Sequence, residues 1–365
     1  MSNAWIEIDR GAYQRNLTAL ARWTACPVLA VVKANAYGHG APILAAAALE
    51  TECPGVAVAR VDEGVALRAA GIAGRIVILG LSLPDEAETI CDQRLEPVVA
   101  DPALVAALAR AGERAGSPVP VHVKVDTGMT RAGLDPTAAL TLCREIRAGA
   151  GLRLAGVLTH FAAAEAEDGT TMRAQWRRFE GVRVELAQWT PRPLLHAANS
   201  AAALWFPPAC LDWVRGGLLT YGVAPADRPL PFSVEPVAAV KAHLVQVRDV
   251  PAGRAVSYGG AWTTPRRSRL ALAPLGYGDG LPWNLSNRGW GLVKGCRVPI
   301  RGRVCMDQVV LDVTDLPPVH PGEEAVFLGR QGDAAITAAE LATLAETIPY
   351  EILTRLAERL PRRVV

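Results

Sequence analysis

The stretch VLAVVKANAYGHG, Val28 to Gly40, decides how the rest of the chain is interpreted. Its first five residues are apolar and predict a buried strand, whereas Asn35, Gly38 and Gly40 predict a turn. Lys33 stands where the strand ends. A buried lysine loses part of its preference for the charged form, and a neutral amine can attack an aldehyde to form a Schiff base. The alternative is that the Lys33 side chain extends from the strand end into solvent.

The composition restricts the classes of function. The chain has 365 residues, half of them hydrophobic, and a formal net charge of +2, which argues against an extended nucleic-acid or acidic membrane surface. The seven cysteines are widely spaced and form no C-x-x-C pair, which predicts a reducing compartment and no metal site. The N-terminus lacks the apolar core of a signal peptide, and no uncharged apolar run approaches the ~20 residues that cross a bilayer. We therefore expect a cytoplasmic location and no membrane contact.

Eight short apolar runs alternate with helical patterns over the first 220 residues or so. The runs are Val28–Val32, Gly55–Ala59, Ile76–Leu79, Glu96–Val99, Val121–Val125, Leu154–Leu158, Leu194–Ala197 and Trp213–Leu219. The helical segments include Ala41–Glu50, Glu63–Ala70, Asp85–Gln93, Ala103–Ala115, Pro136–Ala148 and Met172–Gln188. Eight strands are the number that closes a parallel barrel, so we predict an α/β fold with an eight-stranded (β/α)8 TIM-like barrel.

The alternation stops in the proline-rich stretch from Val223 to Pro236, which we interpret as a linker. Beyond it, alternating segments separated by turn residues predict a mainly antiparallel β domain. These segments are Val237–Val247, Arg269–Ala273 and Met306–Val313. Only Thr337–Leu360 has a helical pattern there. We therefore predict an α/β barrel over residues 1–231 and a C-terminal β-rich domain over residues 232–365.

Polar residues stand where several of the predicted barrel strands end. They are Lys124, Asp126, Arg131, His160, His196, Asn199, Ser200 and Arg215. Because ligand sites in such barrels lie at the carboxyl ends of the strands, this arrangement favours a functional Lys33 over a solvated one. Gly216 to Leu218 can offer backbone N–H groups to a phosphate, and Ser200 a hydroxyl. Pyridoxal phosphate (PLP), which has an aldehyde and a phosphate, fits these residues, and a phosphosugar aldolase is the chemical alternative.

Nine motifs, in order and at ordinary spacing, carry a close resemblance to the alanine racemase family. They are AVVKANAYGHG, KVDTGMTRAG, LTHF, HAANSA, VRGG, VSYGG, GYGDG, GRVCMDQ and TIPYEILTRL. The resemblance extends from Asp9 nearly to the C-terminus. Members of this family are PLP enzymes of fold type III that interconvert L- and D-alanine for the bacterial cell wall. The resemblance therefore implies this reaction, PLP as cofactor and a role in supplying D-alanine for peptidoglycan.

The resemblance also implies the two catalytic bases. Lys33 would bind PLP covalently and, once released by the substrate, act as the base on the D face of the amino acid. Tyr258, from the other subunit of a homodimer with shared active sites, would act on the L face. Racemisation requires a group on each face, because the Cα proton leaves one side and returns to the other. A phenol is a weak base near neutral pH, so Tyr258 needs a polarising neighbour, and His160 in contact with Arg215 is the candidate.

Arg215 would face the pyridine nitrogen of PLP. Because an arginine keeps its proton, the ring nitrogen stays unprotonated and the cofactor withdraws electrons less strongly, which restricts side reactions such as transamination. Arg131 would support the phenolic oxygen of the cofactor and the substrate carboxylate. Lys124 matches a position that is often carbamylated in the family, and the resulting anion would pair with Arg131. The alternative is an unmodified Lys124 paired with Asp126.

The remaining implied roles concern the phosphate and the substrate. The further cofactor-binding residues are Tyr37, Asn199, Ser200, Gly217, Leu218 and Tyr350, with Asn199 beside the phosphate. Besides Arg131, the substrate-binding residues are Tyr277, Met306 and Asp307, which would reach the partner's substrate. Thr130, Ala132 and Gly216 depart from the usual family pattern in the pocket wall. A serine or broad-specificity amino-acid racemase is therefore the alternative within the family.

Two other classes of protein share part of this pattern. An amino-acid decarboxylase of related architecture would be expected to have an acid where Arg215 stands. A non-catalytic PLP carrier built on the barrel would leave Tyr258, Tyr277 and Met306 without a role. Racemisation by the purified protein distinguishes these alternatives, since a carrier would bind PLP without turnover.

Overall fold

The computed structural model describes residues 2–365 of the chain. Strands are numbered along the chain, beginning with β1 (Ala4–Ile8). The next eight are β2 (Val28–Val31), β3 (Val56–Val58), β4 (Ile76–Ile78), β5 (Glu96–Val99), β6 (Val119–Lys124), β7 (Leu152–Leu158), β8 (Leu194–His196) and β9 (Val214–Gly216). These eight strands are parallel to their neighbours and pair in the order β8-β7-β6-β5-β4-β3-β2-β9.

The two edges of this parallel sheet approach each other. The N–H of Asp212 donates to the carbonyl oxygen of Leu195 at 3.0 Å, and the N–H of Arg215 donates to that of Ala198 at 3.0 Å. These bonds join the segments of β8 and β9, so the sheet forms a nearly closed barrel. The eight-stranded parallel barrel predicted from the sequence is confirmed.

Helices alternate with the barrel strands and cover their outer face. They are Arg10–Thr24, Ala41–Leu49, Val61–Ala69, Ala87–Asp92, Pro102–Ala115, Pro136–Ala148, Thr170–Leu186 and Ser200–Trp205. The short strands are rich in Val, Ile, Leu and Ala and are almost fully buried, as strands between a packed barrel interior and a layer of helices must be. No helix within residues 2–365 has the length and apolar character needed to span a membrane.

The chain divides into two compact units. The barrel unit contains Tyr13–Ala36 and Ala41–Glu235, and the C-terminal unit contains the N-terminal segment up to Ala12, Tyr37–Gly40 and Pro236–Val365. The remaining strands belong to the C-terminal unit: β10 (Ala238–His243), β11 (Gln246–Val250), β12 (Ala255–Val256), β13 (Trp262–Thr263), β14 (Ser268–Ala273), β15 (Trp290–Val293), β16 (Cys296–Pro299), β17 (Val309–Asp312), β18 (Glu324–Gln331), β19 (Ala334–Ile336) and β20 (Arg362–Val364).

The C-terminal unit is mainly antiparallel, as predicted. Its largest sheet has the order β16-β15-β18-β10-β1-β20, with β19 paired to β18; β11, β14 and β17 form a second sheet, and β12 and β13 a hairpin. The predicted segment Val237–Val247 is two strands, since β10 ends at His243 and β11 pairs with β14 in the second sheet. The predicted helical segment Thr337–Leu360 contains two helices, Ala338–Ala345 and Pro349–Thr354.

The strand β1 pairs with strands from the far end of the chain. The N-terminal residues are predicted to belong to the barrel domain, but β1 pairs antiparallel with β10 and parallel with β20. The Trp5 ring also packs 4.7 Å from that of His243. Backbone pairing across 230 residues of sequence or more is invisible to local pattern, so the sequence does not indicate which strands β1 pairs with. The boundary near residue 231 stays a prediction.

Candidate active site

The turn that follows β2 is left-handed. The three residues after Lys33 have φ angles between 51° and 53°, a region that costs L-residues roughly 1–2 kcal/mol each. Side-chain acceptors hold this strained backbone in place. The N–H of Ala34 donates to Oε1 of Glu63 at 2.6 Å, and the N–H of Ala41 donates to Oδ1 of Asn35 at 2.8 Å. The turn predicted from the glycines is therefore present, but its handedness and the role of Glu63 are not apparent from the sequence.

Lys33 lies at the carboxyl end of β2 in surroundings that disfavour its charge. Burial is the largest cause, and the charges of Arg131 and Arg215 add to it, while Glu63 opposes them. The pKa of the Lys33 amine therefore lies below its ordinary value. At a given pH, more of this amine is neutral than in a solvated lysine, as an amine that attacks an aldehyde requires.

Lys124, the last residue of β6, is 8% exposed. Burial, followed by the charges of Arg215 and Arg131, lowers its pKa to about 8, and Asp126 opposes this shift. Oδ1 of Asp126 accepts three backbone N–H groups, from residues 128 to 130. Within residues 2–365 no ion pair of 4.0 Å or less joins Asp126 to Lys124. The structure therefore does not show the paired arrangement that the sequence left open.

Arg215 in β9 is buried and held by neutral acceptors. It donates to the carbonyl oxygens of Thr159 (2.7 Å), His196 (2.7 Å) and Ala197 (2.9 Å). It also donates to Nδ1 of His160 at 3.1 Å and to Nδ1 of His196 at 3.2 Å. Burial lowers the pKa of Arg215 to about 10, which still leaves it a cation at neutral pH. Among residues 2–365, no carboxylate forms an ion pair with it.

Both histidines beside Arg215 are kept neutral. Burial, followed by the charge of Arg215, lowers the pKa of His160 and of His196 well below the ordinary value. The contact between His160 and Arg215 that the resemblance implies is present. Because Arg215 is a donor, Nδ1 of each histidine must accept, and each neutral ring therefore carries its proton on Nε2.

A line of hydrogen bonds continues from His196 through the barrel interior. Nε2 of His196 lies 3.1 Å from Nδ1 of His122, and Nε2 of His122 lies 3.1 Å from Oε2 of Glu96. Oε1 of Glu96 accepts from Nε of Arg75 at 2.8 Å. The sequence analysis did not identify His122 or Glu96 as site residues. Two features of the sequence could have identified them. His122 lies on the same strand face as Lys124, two residues further on, and Glu96 is a charged residue in an otherwise apolar strand.

The predicted phosphate residues of the barrel unit adjoin one another. The N–H of Gly217 donates to Oγ of Ser200 at 3.1 Å; Ser200 is the first residue of the short helix Ser200–Trp205, and Gly217 precedes the helical turn Leu218–Tyr221. Leu218 is buried at the start of the second turn. Asn199 is the N-cap of the first, with its Oδ1 accepting from the N–H of Ala202 at 2.9 Å, which gives it a structural contact of its own.

The C-terminal unit holds the remaining predicted residues. The rings of Tyr37 and Tyr350 lie 6.0 Å apart. Burial, followed by the nearby Tyr350, raises the pKa of Tyr37 above its ordinary range, so its phenol keeps its proton. Tyr258, Tyr277 and Met306 are 70%, 44% and 53% exposed. These three side chains are therefore available at the surface of the described chain rather than packed into a core.

Arg359 ties two loops of the C-terminal unit together. Its Nε donates to Oδ1 of Asp279 at 2.7 Å, and one terminal nitrogen donates to Oδ1 of Asp307 at 2.9 Å. Asp279 ends the short turn that begins at Tyr277, and Asp307 follows Met306. The three predicted substrate-binding residues of this unit are therefore positioned by loops that share one arginine.

The barrel cluster suits an anionic ligand that carries an aldehyde. Its cations outnumber the carboxylates near them, Glu63 and Asp126. The cations are Lys33, Lys124, Arg131 and Arg215. A phosphate, phenolate or carboxylate group would compensate this charge, and Lys33 supplies the amine for an aldehyde. These residues fit PLP. Within residues 2–365 no three His, Cys, Asp or Glu side chains gather as metal ligands.

Family models and curated relatives agree on the family. Residues 8–225 match the model of the alanine racemase N-terminal domain, and residues 237–364 match that of the alanine racemase C-terminal domain. The chain is 42% identical to the alanine racemase of Symbiobacterium thermophilum, over 99% of this chain and 97% of the relative. It is also 42% identical to the alanine racemase of Desulfosudis oleivorans, over 99% of this chain and 96% of the relative.

Solved structures share the fold. The alanine racemase from D-cycloserine-producing Streptomyces lavendulae aligns with a TM-score of 0.93 at 35% identity, over 100% of this chain and 97% of that chain. The histidine racemase from Leuconostoc mesenteroides subsp. sake aligns with a TM-score of 0.92 at 28% identity, over 100% and 98%. With both domain models matched and full-length relatives of this similarity, the chain belongs to the alanine racemase family of isomerases.

Proposed function

We propose that this chain interconverts L-alanine and D-alanine with PLP bound among the barrel residues. The observation that carries the proposal is Lys33, a lysine of lowered pKa at a strand end, beside Lys124, Arg131 and Arg215. In a chain of the alanine racemase family, this combination supports covalent use of the Lys33 amine rather than a solvated lysine. The serine and broad-specificity alternatives use the same residues and differ only in the pocket wall.

The reaction needs a proton acceptor on each face of the substrate. When bound, PLP supplies the electron withdrawal that makes the Cα–H of an attached amino acid acidic. The Lys33 amine removes or returns the Cα proton on the D face. Tyr258 of the partner subunit does the same on the L face, which makes the homodimer part of the active site. A proton taken from one face and returned to the other inverts Cα, so neither group alone is sufficient.

Arg215 and His160 support this chemistry without exchanging the substrate proton. Arg215 would donate a hydrogen bond to the pyridine nitrogen and would keep its own proton, because its pKa of about 10 exceeds neutral pH. His160 accepts from Arg215 through Nδ1. Its Nε2–H is then free to donate to the phenolic oxygen of Tyr258 of the partner subunit, which stabilises the phenolate.

The remaining roles follow the resemblance. Arg131 would bind the substrate carboxylate, whose planar geometry a guanidinium matches, and would support the phenolic oxygen of PLP. The phosphate-binding roles of Tyr37, Asn199, Ser200, Gly217, Leu218 and Tyr350 stay predictions. So do the substrate contacts of Tyr277, Met306 and Asp307 of the partner subunit.

Lys124 is proposed to be carbamylated. With a pKa of about 8, roughly a tenth of its amine is neutral at pH 7. The neutral amine attacks carbon dioxide, an N–C bond forms, and one proton is released to solvent. The product anion lies near Arg131 and Arg215, whose charges favour it. A carbamate carbon signal in NMR after addition of labelled bicarbonate, absent in Lys124→Arg, supports this; the same spectrum from both proteins contradicts it.

The first test is the optical rotation of L-alanine followed over time with purified protein and added PLP. The wild type should bring the rotation to zero, and Lys33→Ala should leave it unchanged. Lys294→Ala is a matched control, because Lys294 pairs with Glu323 in the C-terminal unit. Rotation that holds in the wild type while PLP is bound would overturn the proposed reaction.

A broader amino-acid racemase is the second candidate. The relative from Leuconostoc mesenteroides is named a histidine racemase, so the shared fold does not by itself limit the side chain. Thr130 and Ala132, which depart from the usual family pattern, belong to the motif that contains Arg131. Initial rates with alanine, serine, lysine and histidine distinguish the two candidates: a kcat/KM at least tenfold higher for alanine favours the narrow one.

The proposed cellular role is the supply of D-alanine for peptidoglycan in the cytoplasm. A bacterial strain that lacks its own alanine racemase requires added D-alanine. Expression of this chain should remove the requirement, and Lys33→Ala should not. Continued dependence on D-alanine with soluble, PLP-loaded protein present would contradict the role.

A further inference from the structure

The hydrogen bonds between Arg215 and Glu96 can form in only one arrangement of protons. Arg215 has donors only, so Nδ1 of His196 accepts from it and the His196 proton lies on Nε2. That N–H then donates to Nδ1 of His122, whose own proton lies on Nε2 and is donated to Glu96. Each donor points away from Arg215 and towards the carboxylate. A chain of aligned bonds of this kind polarises every member in the same direction.

The far end of the chain is anchored by a carboxylate and a second cation. Burial raises the pKa of Glu96, but the hydrogen bonds from His122 and Arg75, together with the charge of Arg75, outweigh it, so the pKa lies below its ordinary value. Glu96 is therefore an acceptor at neutral pH. Arg75 packs 4.9 Å from the Trp213 ring centroid, which holds its donor towards Glu96.

The barrel leaves room for this chain at a glycine. A Cβ at Gly156, on the neighbouring strand β7, would lie 2.4 Å from Nδ1 of His122. Only glycine permits the imidazole to lie against this strand, with its other neighbour, His196, at a ring distance of 5.2 Å. The backbone at Gly156 and the side chains of Glu96, His122 and His196 therefore fit together in one geometry.

We propose that Glu96 is a positioning residue: through His122 and His196 it fixes one tautomer of each imidazole and thereby holds Arg215 as a donor directed at the bound PLP. The inference rests on the proposed function in that Arg215 faces the cofactor. Arg215 has no carboxylate partner of its own, so its orientation depends on neutral acceptors. A histidine in the opposite tautomer would direct an N–H at the guanidinium and repel it.

The surroundings of His196 disfavour a second proton on that ring. Burial is the largest cause of its lowered pKa, and the charges of Arg215 and Lys124 add to it. A proton on Nδ1 of His196 would also face Arg215, the one neighbour that cannot accept it. Burial, charge and hydrogen bonding therefore favour the neutral Nε2–H tautomer of His196.

The wild-type protein provides the first measurement. The chain has six histidines, so nitrogen NMR of the PLP-loaded, 15N-histidine-labelled protein is tractable, with His122 and His196 assigned from His122→Asn and His196→Asn. Both imidazoles should carry the proton on Nε2. An Nδ1–H signal from either one would overturn the proposal without any variant having to fold.

Glu96→Gln tests the direction of the chain. The Arg75 donor requires the amide oxygen, so the new amide N–H group faces His122, which must then accept on Nε2 and carry its proton on Nδ1. We expect this change of tautomer and a fall in kcat of about tenfold, the scale seen when a partner that orients a site's ligand is lost. KM should change little, because no group in contact with substrate is removed.

A second substitution should reverse the first. In Arg75→Met/Glu96→Gln the amide can rotate and present its oxygen to His122, which restores the proton on Nε2 of His122. The kcat of this double variant should therefore return most of the way to the kcat of Arg75→Met alone. A merely structural loss would not be repaired by removing another residue. Asp212→Asn, which disrupts a separate carboxylate–arginine pair at Arg192 in the barrel unit, is the matched control and should leave both tautomers unchanged.

The outcomes separate the two proposals. An unchanged His122 tautomer in Glu96→Gln, or no recovery of kcat in the double variant, would overturn the role of Glu96 while racemisation stands. Wild-type protein that shows both Nε2–H signals and the Glu96→Gln switch, but no racemase activity, would support the hydrogen-bond chain and overturn the proposed function.

Discussion

The barrel unit and the C-terminal unit hold their site residues in opposite ways. In the barrel, Lys124 and Arg215 are strand residues, nearly buried, and surrounded by acceptors within 3.2 Å or by other cations. In the C-terminal unit, Tyr258 and Met306 lie on loops with more than half of their surface exposed. The first set is fixed by sheet geometry, whereas the second is fixed by turns and by the ion pairs of Arg359.

This difference indicates which part of the site tolerates change. Buried polar groups lose their only partners when a neighbour is removed, and the cost is the full desolvation penalty. Exposed loop residues regain water when a contact is lost, so the corresponding cost is small. We therefore expect barrel substitutions to affect folding and the chemical step, and loop substitutions to affect substrate binding. The exception is Tyr258, whose proposed role is chemical despite its exposure.

The largest expected effect concerns Tyr258, the exposed residue whose proposed role is chemical. Lys33→Ala and Tyr258→Phe should each lower kcat/KM by about a thousandfold or more, since each removes one of two bases. If Tyr258 acts on the partner's substrate, mixed subunits restore one complete site in each heterodimer. After subunit exchange the activity should reach about a quarter of wild type for random pairing. Each variant exchanged with itself is the control, and no recovery would contradict a shared site.

The second-largest expected effect concerns how tightly the barrel packs around Gly216, measured as the free energy of unfolding. A Cβ at Gly216 would lie 2.7 Å from Cγ1 of Val28 and 2.8 Å from Cγ2 of Thr220, so Gly216→Ala should lower the free energy of unfolding by about 1–3 kcal/mol. Gly181→Ala is the matched control, because nothing lies within 4 Å of its Cβ position in the helix Thr170–Leu186. It should raise stability by about 0.5–1 kcal/mol. Urea denaturation measures both, and equal effects would contradict the packing argument.

A smaller effect is expected where Arg359 ties the loops of the C-terminal unit. Arg359→Ala releases Asp279 and Asp307, and we expect kcat/KM to fall about fivefold, mainly through KM, as a partly exposed ion pair worth about 1 kcal/mol implies. Arg355→Ala removes a comparable pair with Glu351 and should change neither constant. A fall in kcat alone would show that Arg359 acts on the chemical step instead.

The smallest expected effect is a shift in the pH dependence of the rate of PLP loading. PLP loading of the apoprotein requires the neutral Lys33 amine, so its rate rises as pH passes the Lys33 pKa. Arg131 lowers that pKa and Glu63 raises it. The curve should therefore move to higher pH in Arg131→Met and to lower pH in Glu63→Gln. Absorbance of bound PLP measures the rate, and displacement of both curves in one direction would contradict the assignment of charges around Lys33.

Local pattern predicts much of the barrel. The strand Glu96–Val99 and the helix Pro136–Ala148 have the bounds predicted from the sequence. Strand ends there fall where apolar runs end, and Asp135 accepts from the N–H groups of Thr137 and Ala138 to begin the helix. The C-terminal unit is less predictable, because β10 and β11 form one alternating run in sequence but belong to different sheets.

The sequence likewise identifies some residues of the candidate site and not others. Lys33 is identifiable because a charge ends an apolar run, and polar residues at other strand ends support it. Glu63 is not, since its role depends on the left-handed turn after Lys33, whose handedness no local propensity favours. Glu96 and His122 look like ordinary strand residues until the barrel brings them to the same interior line.

The sequence by itself determined the family, the barrel and the lysine at its first barrel strand, because periodicity and motifs are local properties of the chain. The tertiary structure decided the partners of each charge: Arg215 among neutral acceptors, Lys124 without Asp126, and Glu96 at the end of a histidine chain. The direct partners of Arg215 lie between 18 and 56 residues from it in sequence, and Glu96 lies 119 residues from it. Such contacts depend on strand order and on burial, and only a folded barrel brings them within hydrogen-bonding distance.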